Sequence, residues 1–207
     1  MFGREPRMVT ADEALPGRST PLSVPSTHHV TGRPIVPPWP EGDELIALGM
    51  GCFWGAERLF WSLPGVTTTF VGYAGGFTPN PTYEEVCSGR TGHAEVAVVV
   101  YDPAAIDLEA LLGPFWENHD PTQVDRQGGD IGTQYRSTIL TTSDAQGSVA
   151  KASRARYQTK LEENGFGAIA TTIEPLGELY WAEGYHQQYL AKNPGGYCNH
   201  GFCQVSY

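Results

Sequence analysis

The sequence predicts a single α+β domain in which helices pack on a β-sheet. Apolar residues recur at the spacing of an amphipathic helix at Ala56, Leu59, Phe60 and Leu63. Other segments, such as residues 66–73, are rich in β-branched and aromatic side chains, which is typical of strands. Because the two kinds of segment alternate along a chain of 207 residues, one layered core is the expected arrangement.

Strands are predicted where short apolar or β-branched runs are bounded by turn residues. They are expected at residues 45–49, 66–73, 96–101, 135–141 and 171–174. The run at 96–101 is almost continuously apolar, which is typical of a strand that is covered on both faces.

Helices are predicted from apolar periodicity and from capping residues. The first begins at Cys52 and is ended by Pro64. The second follows Asp107, whose side chain can cap its first turn. The third begins at the capping-box pattern of Ser143 and Gln146.

The chain divides into three segments by composition. Residues 1–43 contain half of the sixteen prolines and show no regular period, so we expect an irregular N-terminal extension that wraps the domain. Residues 44–192 are expected to form the α/β domain, with a final helix predicted at 182–191. Residues 193–207 are glycine-rich and are expected to be a mobile C-terminal tail.

Charge and hydropathy exclude several classes of function. The formal net charge is -10, from 13 basic and 23 acidic residues, which argues against nucleic acid and anionic membranes as partners. The first twenty residues contain no apolar block, and no apolar stretch approaches the roughly 20 residues that a membrane span needs. We therefore expect a cytoplasmic protein whose four cysteines are reactive or metal-binding rather than a disulfide framework.

Cys52 is placed between a predicted strand and the first turn of a predicted helix. Free backbone N–H groups and the positive end of the helix dipole stabilise a thiolate there, so we expect a lowered pKa and a nucleophile. Gly51 and Gly55 leave space beside the sulfur, and Phe53 and Trp54 can form a small apolar pocket. A buried core cysteine flanked by core aromatics is an equally weighted interpretation.

The other cysteines suggest a thiol cycle. Cys198 and Cys203 lie in the glycine-rich tail, and a tail thiol that reaches Cys52 could convert a sulfenic acid into a disulfide. A zinc site of Cys198, His200 and Cys203 is the weaker alternative, because the spacing is not usual for zinc. Cys87 has no basic or flexible neighbours, and we expect it to be a small core residue.

Four stretches of the sequence resemble the peptide methionine sulfoxide reductase A family. They are GCFWGAE at 51–57, NPTYEEVCSGRTGHAE at 80–95, GDIGTQYRS at 129–137 and HQQYLAKNPGGYC at 186–198. With ALPGRSTP at 14–21, the similarity covers nearly the whole chain. The resemblance implies a two-layer α/β sandwich of the ferredoxin-like plait type with a mixed sheet, and an enzyme that reduces the S epimer of methionine sulfoxide, free and in proteins.

The resemblance also implies roles for the residues of the site. Cys52 corresponds to the nucleophile that attacks the sulfoxide sulfur, and Glu95 to the acid. Tyr83 and Tyr135 correspond to donors to the sulfoxide oxygen, and Asp130 to a residue that organises them. Because a sulfoxide sulfur is a poor electrophile until its oxygen is protonated, Glu95 needs a raised pKa.

Substrate binding and turnover are implied in the same way. Phe53 and Trp54 correspond to the pocket for the terminal methyl of the substrate. Cys198 corresponds to the resolving cysteine and Cys203 to a recycling cysteine, although the link between them is shorter than is typical of the family. Thioredoxin or a similar dithiol would then reset the enzyme, with no metal or bound organic cofactor, in the repair of oxidised proteins.

Two other functions fit parts of the sequence. A cysteine hydrolase or acyltransferase could use Cys52 with His93 or His119 as the base, but this leaves the tail cysteines unexplained. A non-enzymatic binding module could be stabilised by zinc in the tail.

Overall fold

The structure is a computed structural model that describes residues 6–198 and 205–207. Its strands are β1 (Glu44–Met50), β2 (Val66–Ala74), β3 (Ala94–Tyr101), β4 (Arg126–Gln127), β5 (Asp130–Ile131), β6 (Ser137–Thr141), β7 (Thr172–Pro175) and β8 (Leu179–Trp181). Its α-helices are α1 (Phe53–Phe60), α2 (Tyr83–Cys87), α3 (Leu108–Glu117), α4 (Asp144–Glu163) and α5 (Tyr189–Lys192).

The main sheet has the strand order β7-β6-β1-β3-β2-β8. The four central strands, in the order β6-β1-β3-β2, are antiparallel to one another, and α1 and α3 connect them in the order of a ferredoxin-like plait. Strand β7 adds a parallel pair at one edge and β8 an antiparallel pair at the other. The predicted α+β fold with a mixed sheet is therefore confirmed.

The two faces of the sheet are covered by different parts of the chain. Helices α1, α3 and α4 pack on one face, where Phe60, Phe115 and Tyr157 belong to the largest apolar cluster. On the other face, Ile35 from the N-terminal segment packs with Phe70 and is fully buried. Strand β3 is consequently buried along its whole length, as its apolar sequence predicts.

Most predicted elements are present, but the prediction of a helix over residues 182–191 is wrong. Only α5 is helical there, and β8 precedes the segment. The Gln187 side chain holds the intervening chain against β2, because Nε2 donates to the carbonyl oxygens of Val71 and Ala182 while Oε1 accepts from the Val71 N–H. Gln188 then adopts a left-handed conformation with φ 48°, which interrupts any continuous helix.

Both described ends of the chain contact the domain. In the N-terminal segment, Arg18 donates to the backbone oxygen of Asn80 at 2.6 Å and to the Glu85 carboxylate at 2.8 Å. At the C-terminus, Val205 is buried, and its carbonyl oxygen accepts a 2.8 Å hydrogen bond from the Tyr157 hydroxyl. The segment boundaries and the mobility of 193–207 stay predictions. No helix in the described ranges is long and apolar enough to cross a membrane.

Candidate active site

Cys52 lies where β1 turns into α1, at the N-cap of the helix, and only 6% of it is exposed. Gly51 makes this turn with φ 88°, a left-handed conformation that glycine adopts without strain. A side chain at this position would also collide with Gln127, because a Cβ atom would lie 2.6 Å from the Gln127 Cβ. The glycine therefore fixes how the thiol is presented.

The prediction of a lowered pKa for Cys52 is wrong. Burial raises the pKa of the thiol, and negative charge on Glu95 raises it further; Asp130 and Cys198 contribute in the same direction. The backbone N–H of Trp54 opposes these effects but does not outweigh them. Desolvation therefore exceeds the helix N-terminal effect, and the unliganded thiol is protonated at neutral pH.

Glu95 is 1% exposed on β3 and points its carboxyl group at the start of α1. Its Oε2 accepts a 3.1 Å hydrogen bond from the backbone N–H of Phe53, whereas Oε1 has no hydrogen-bond partner within the described chain. Burial raises the pKa of Glu95 to about 8, although the Phe53 N–H acts in the opposite direction. The carboxyl group is thus neutral at pH 7, as expected for an acid.

The structure brings the other polar residues of the predicted site to the same place. Tyr83 begins α2, Tyr135 ends a short 3-10 helix, and Asp130 begins β5. Burial raises the pKa of both tyrosines, and the charge of Glu95 raises each of them further. Asp130 and Cys52 also raise the pKa of Tyr135. Each of the five groups therefore lies within electrostatic range of at least one of the others.

An aromatic cluster lies beside the thiol. Phe53 is fully buried, with its ring centroid 5.1 Å from that of His186. The indole N–H of Trp54 donates to His186 Nδ1 at 2.9 Å, and the Trp54 ring stacks on Tyr189 at 3.9 Å with an interplanar angle of 16°. The ring of Tyr83 lies 4.5 Å from that of His186. Phe53 and Trp54 therefore have fixed orientations in an apolar wall.

Four residues of this region were not assigned a role from the sequence. Glu183 accepts hydrogen bonds of 2.8 Å from the Tyr73 hydroxyl and from the backbone N–H of Tyr83, and so joins β2 to α2. Burial lowers the pKa of His186 to about 4, so its ring is neutral when it accepts from Trp54. His186 and Tyr189 lie in one of the recognised stretches, which could have indicated them, whereas Glu183 and Tyr73 carry no local signal.

The described end of the tail lies against the site. The Tyr197 hydroxyl is 3.3 Å from both carboxylate oxygens of Asp130. Cys198 is half-buried, and the Arg58 guanidinium donates to its Sγ at 3.5 Å. Cys203 lies outside the described residues.

The expectation that Cys87 is a core residue is wrong. It ends α2 and is exposed. Partial burial of its sulfur nevertheless raises the pKa of the thiol, and hydrogen bonds with the hydroxyls of Tyr83 and Tyr135 act in the opposite direction.

The histidines proposed for a cysteine hydrolase are already engaged elsewhere. His93 Nε2 is 2.8 Å from the Thr78 carbonyl oxygen, and Nδ1 accepts from the Gly76 N–H. His119 Nδ1 is 2.7 Å from the Phe115 carbonyl oxygen, and Nε2 is 2.7 Å from a serine hydroxyl. With both ring nitrogens in use, neither histidine is placed as a base for Cys52.

The zinc alternative depends on the tail. Of Cys198, His200 and Cys203, the structure describes only the first. Elsewhere in the described chain, no group of three or more His, Cys, Asp or Glu side chains is arranged to hold a metal.

Known proteins resemble the chain over most of its length. The family described as peptide methionine sulfoxide reductase matches residues 44–205. The peptide methionine sulfoxide reductase MsrA of Salinispora tropica is 61% identical over 197 residues, covering 94% of this chain and 90% of the relative.

Solved structures also resemble this chain over most of its length. Methionine sulfoxide reductase A of Corynebacterium diphtheriae superposes with a TM-score of 0.87 at 49% identity, covering 93% of this chain and 94% of that one. Mxr1 from Saccharomyces cerevisiae in complex with Trx2 superposes with a TM-score of 0.55 at 27% identity, covering 82% and 96%. The chain belongs to the peptide methionine sulfoxide reductase family.

Proposed function

We propose that this protein reduces the S epimer of methionine sulfoxide, free and in proteins, with Cys52 as the nucleophile and Glu95 as the acid. The observation that carries the proposal is the buried carboxyl group of Glu95, which is bound to the backbone of Phe53 beside Cys52 and has a pKa of about 8. A neutral acid is what an unreactive sulfoxide requires. The names of the relatives support the same reaction.

The first step transfers an oxygen atom and two electrons. Glu95 gives its proton to the sulfoxide oxygen while the Cys52 sulfur bonds to the sulfoxide sulfur. The sulfur–oxygen bond of the substrate and the new sulfur–sulfur bond then break as the hydroxyl group passes to the Cys52 sulfur, which leaves methionine and a sulfenic acid. The proton of the Cys52 thiol returns to Glu95, so the carboxyl group is ready for another turnover.

The surrounding side chains position the substrate. Tyr83 and Tyr135 would donate hydrogen bonds to the sulfoxide oxygen, and Asp130 would orient this polar side of the site. Phe53 and Trp54 would take the terminal methyl group, and His186 keeps the indole in place through its 2.9 Å hydrogen bond. A site with an acid on one side and an apolar wall on the other accepts only one arrangement of oxygen and methyl about sulfur, which supports selectivity for one epimer.

Cys198 would resolve the sulfenic acid. Its thiolate attacks the Cys52 sulfur, a disulfide forms, and the hydroxyl group leaves as water. Cys203 would then exchange the disulfide outward, and a thioredoxin would reduce it. The yeast relative in complex with Trx2 supports this type of reductant. We further propose that the reaction serves the repair of oxidised proteins in the cytoplasm, without a metal or a bound organic cofactor.

The proposal is tested by an NADPH-coupled thioredoxin assay on the separated S and R epimers of a methionine sulfoxide peptide. We expect NADPH consumption with the S epimer only, and none with Cys52→Ser. Consumption with the R epimer at an equal rate, or activity that survives Cys52→Ser with dithiothreitol as reductant, would contradict the proposal.

A further inference from the structure

Arg58 is the cation that contacts the tail cysteine beside the site. We propose that Arg58 is a positioning residue for disulfide formation, which holds Cys198 near Cys52 through a hydrogen bond to its sulfur. The inference rests on the proposed function, because it needs Cys198 to resolve a sulfenic acid on Cys52.

Two neighbouring residues of the tail, Tyr197 and Cys198, contact the domain at this point. The Tyr197 hydroxyl reaches the Asp130 carboxylate at 3.3 Å, and the next residue places its sulfur 3.5 Å from the Arg58 guanidinium. Arg58 lies in the last turn of α1, whose N-cap is Cys52. Arg58 therefore links the tail cysteine to the same helix whose first turn follows Cys52.

The Arg58 contact joins the tail sulfur directly to the helix that begins beside Cys52. Loss of the guanidinium therefore removes a hydrogen bond that holds the tail against α1.

The chemistry of resolution needs the Cys198 sulfur within reach of Cys52. The Cys198 sulfur forms a bond to the Cys52 sulfur as the sulfur–oxygen bond of the sulfenic acid breaks. The departing hydroxide takes up the proton that Cys198 has released, which gives water and a disulfide. No further oxidant or reductant enters this step. Arg58 acts on the attacking sulfur alone, and it does not touch the substrate or the acid.

A purely structural role for Arg58 makes a different prediction. A cation in the last turn of a helix interacts favourably with the helix dipole, and its loss would lower stability without distinguishing one chemical step from another. A role in resolution instead slows disulfide formation selectively. The two roles are therefore separated by measuring the two steps independently.

The experiment compares Arg58→Gln and Arg58→Lys with the parent in a single turnover of fully reduced enzyme with the S sulfoxide. Methionine is measured by rapid quench, and the Cys52–Cys198 disulfide by mass spectrometry of the same samples. Lys151→Gln, which removes an exposed cation from α4, controls for net charge.

We expect disulfide formation to slow by roughly three- to tenfold in Arg58→Gln, the range typical of an exposed charged contact. Arg58→Lys should recover most of the rate because its ammonium group can donate to the same sulfur. Methionine formation should change by less than this factor in both variants.

An unchanged rate of disulfide formation in Arg58→Gln would overturn the inference, as would equal slowing of both steps or no recovery in Arg58→Lys. Failure of the proposed function is distinguishable, because the parent enzyme would then form no methionine in the same experiment.

Discussion

The backbone N–H of Phe53 donates a 3.1 Å hydrogen bond to Glu95 Oε2, which ties the acid to the residue that follows Cys52. The position of the Glu95 carboxyl group relative to the Cys52 thiol therefore depends on this one hydrogen bond between β3 and α1. Oε1 of the same carboxyl group has no hydrogen-bond partner among the residues that the structure describes, so it is the atom left to carry a transferable proton.

Replacing Glu95 by Gln should slow methionine formation while leaving substrate binding largely intact. Gln can still accept the hydrogen bond from Phe53, but it cannot give a proton to the sulfoxide oxygen. We expect a decrease of about 10²- to 10⁴-fold in the single-turnover rate of methionine formation. Equal losses in rate and in substrate affinity would argue against an acid role. Since the pKa of Glu95 is about 8, the parent rate should also fall as the pH rises through that value.

The same substitution should change how stability depends on pH. Burial raises the pKa of Glu95 from 4.5 in its reference state to about 8 in the folded protein. Between these values the unfolded carboxyl is ionised while the folded one keeps its proton, so the free energy of unfolding decreases as pH rises and the loss is complete above the folded pKa.

Gln does not titrate, so Glu95→Gln should gain a few kcal/mol relative to the parent between about pH 5 and about pH 8. Urea unfolding of both proteins at several pH values measures this difference. A stability difference that stays constant over the range would show that Glu95 does not titrate in this way.

Replacing Cys198 by Ser should separate the two halves of the reaction. The variant retains Cys52 and Glu95, so it should release about one methionine per enzyme and then stop in the thioredoxin assay. Cys87→Ser is the matched control and should continue to turn over, since a hydroxyl group can replace the exposed thiol beside Tyr83. Thioredoxin-driven turnover of Cys198→Ser at the parent rate would mean that another group resolves the sulfenic acid.

The turn before Cys52 should not accept a side chain. In Gly51→Ala, the residue would retain φ 88° only under strain and would place its Cβ 2.6 Å from the Gln127 Cβ. We expect a loss of roughly 1–3 kcal/mol in the free energy of unfolding, with reduced activity because the thiol is displaced. Gly177→Ala, where no atom lies within 4 Å of the added Cβ, is the control. Similar effects at the two positions would contradict this explanation.

The sequence predicts the regular parts of this fold well because their patterns are local. Strand β3 is apolar throughout and is buried on both faces, and Asp107 and Ser143 cap α3 and α4 through their side chains. The strand order was available only through the family resemblance. The segment before α5 was mispredicted because its conformation depends on Gln187 binding the distant backbone of Val71.

The sequence predicts which residues gather at the candidate site better than it predicts their pKa shifts. Cys52 does lie at a helix N-cap, but the sign of its pKa shift depends on how completely the fold excludes water, which its neighbours in sequence do not reveal. Glu183 was missed for a related reason. Its partners, Tyr73 and Tyr83, are 110 and 100 residues away, and no local pattern predicts such contacts.

The central claim, oxygen transfer from the substrate to the Cys52 sulfur, is tested most directly by trapping the intermediate. Cys198→Ser is mixed with one equivalent of the S sulfoxide in the presence of dimedone, and peptides are analysed by mass spectrometry. We predict one dimedone adduct on Cys52 for each methionine formed. Formation of methionine with Cys52 unmodified, or with the adduct on Cys87, would contradict the account.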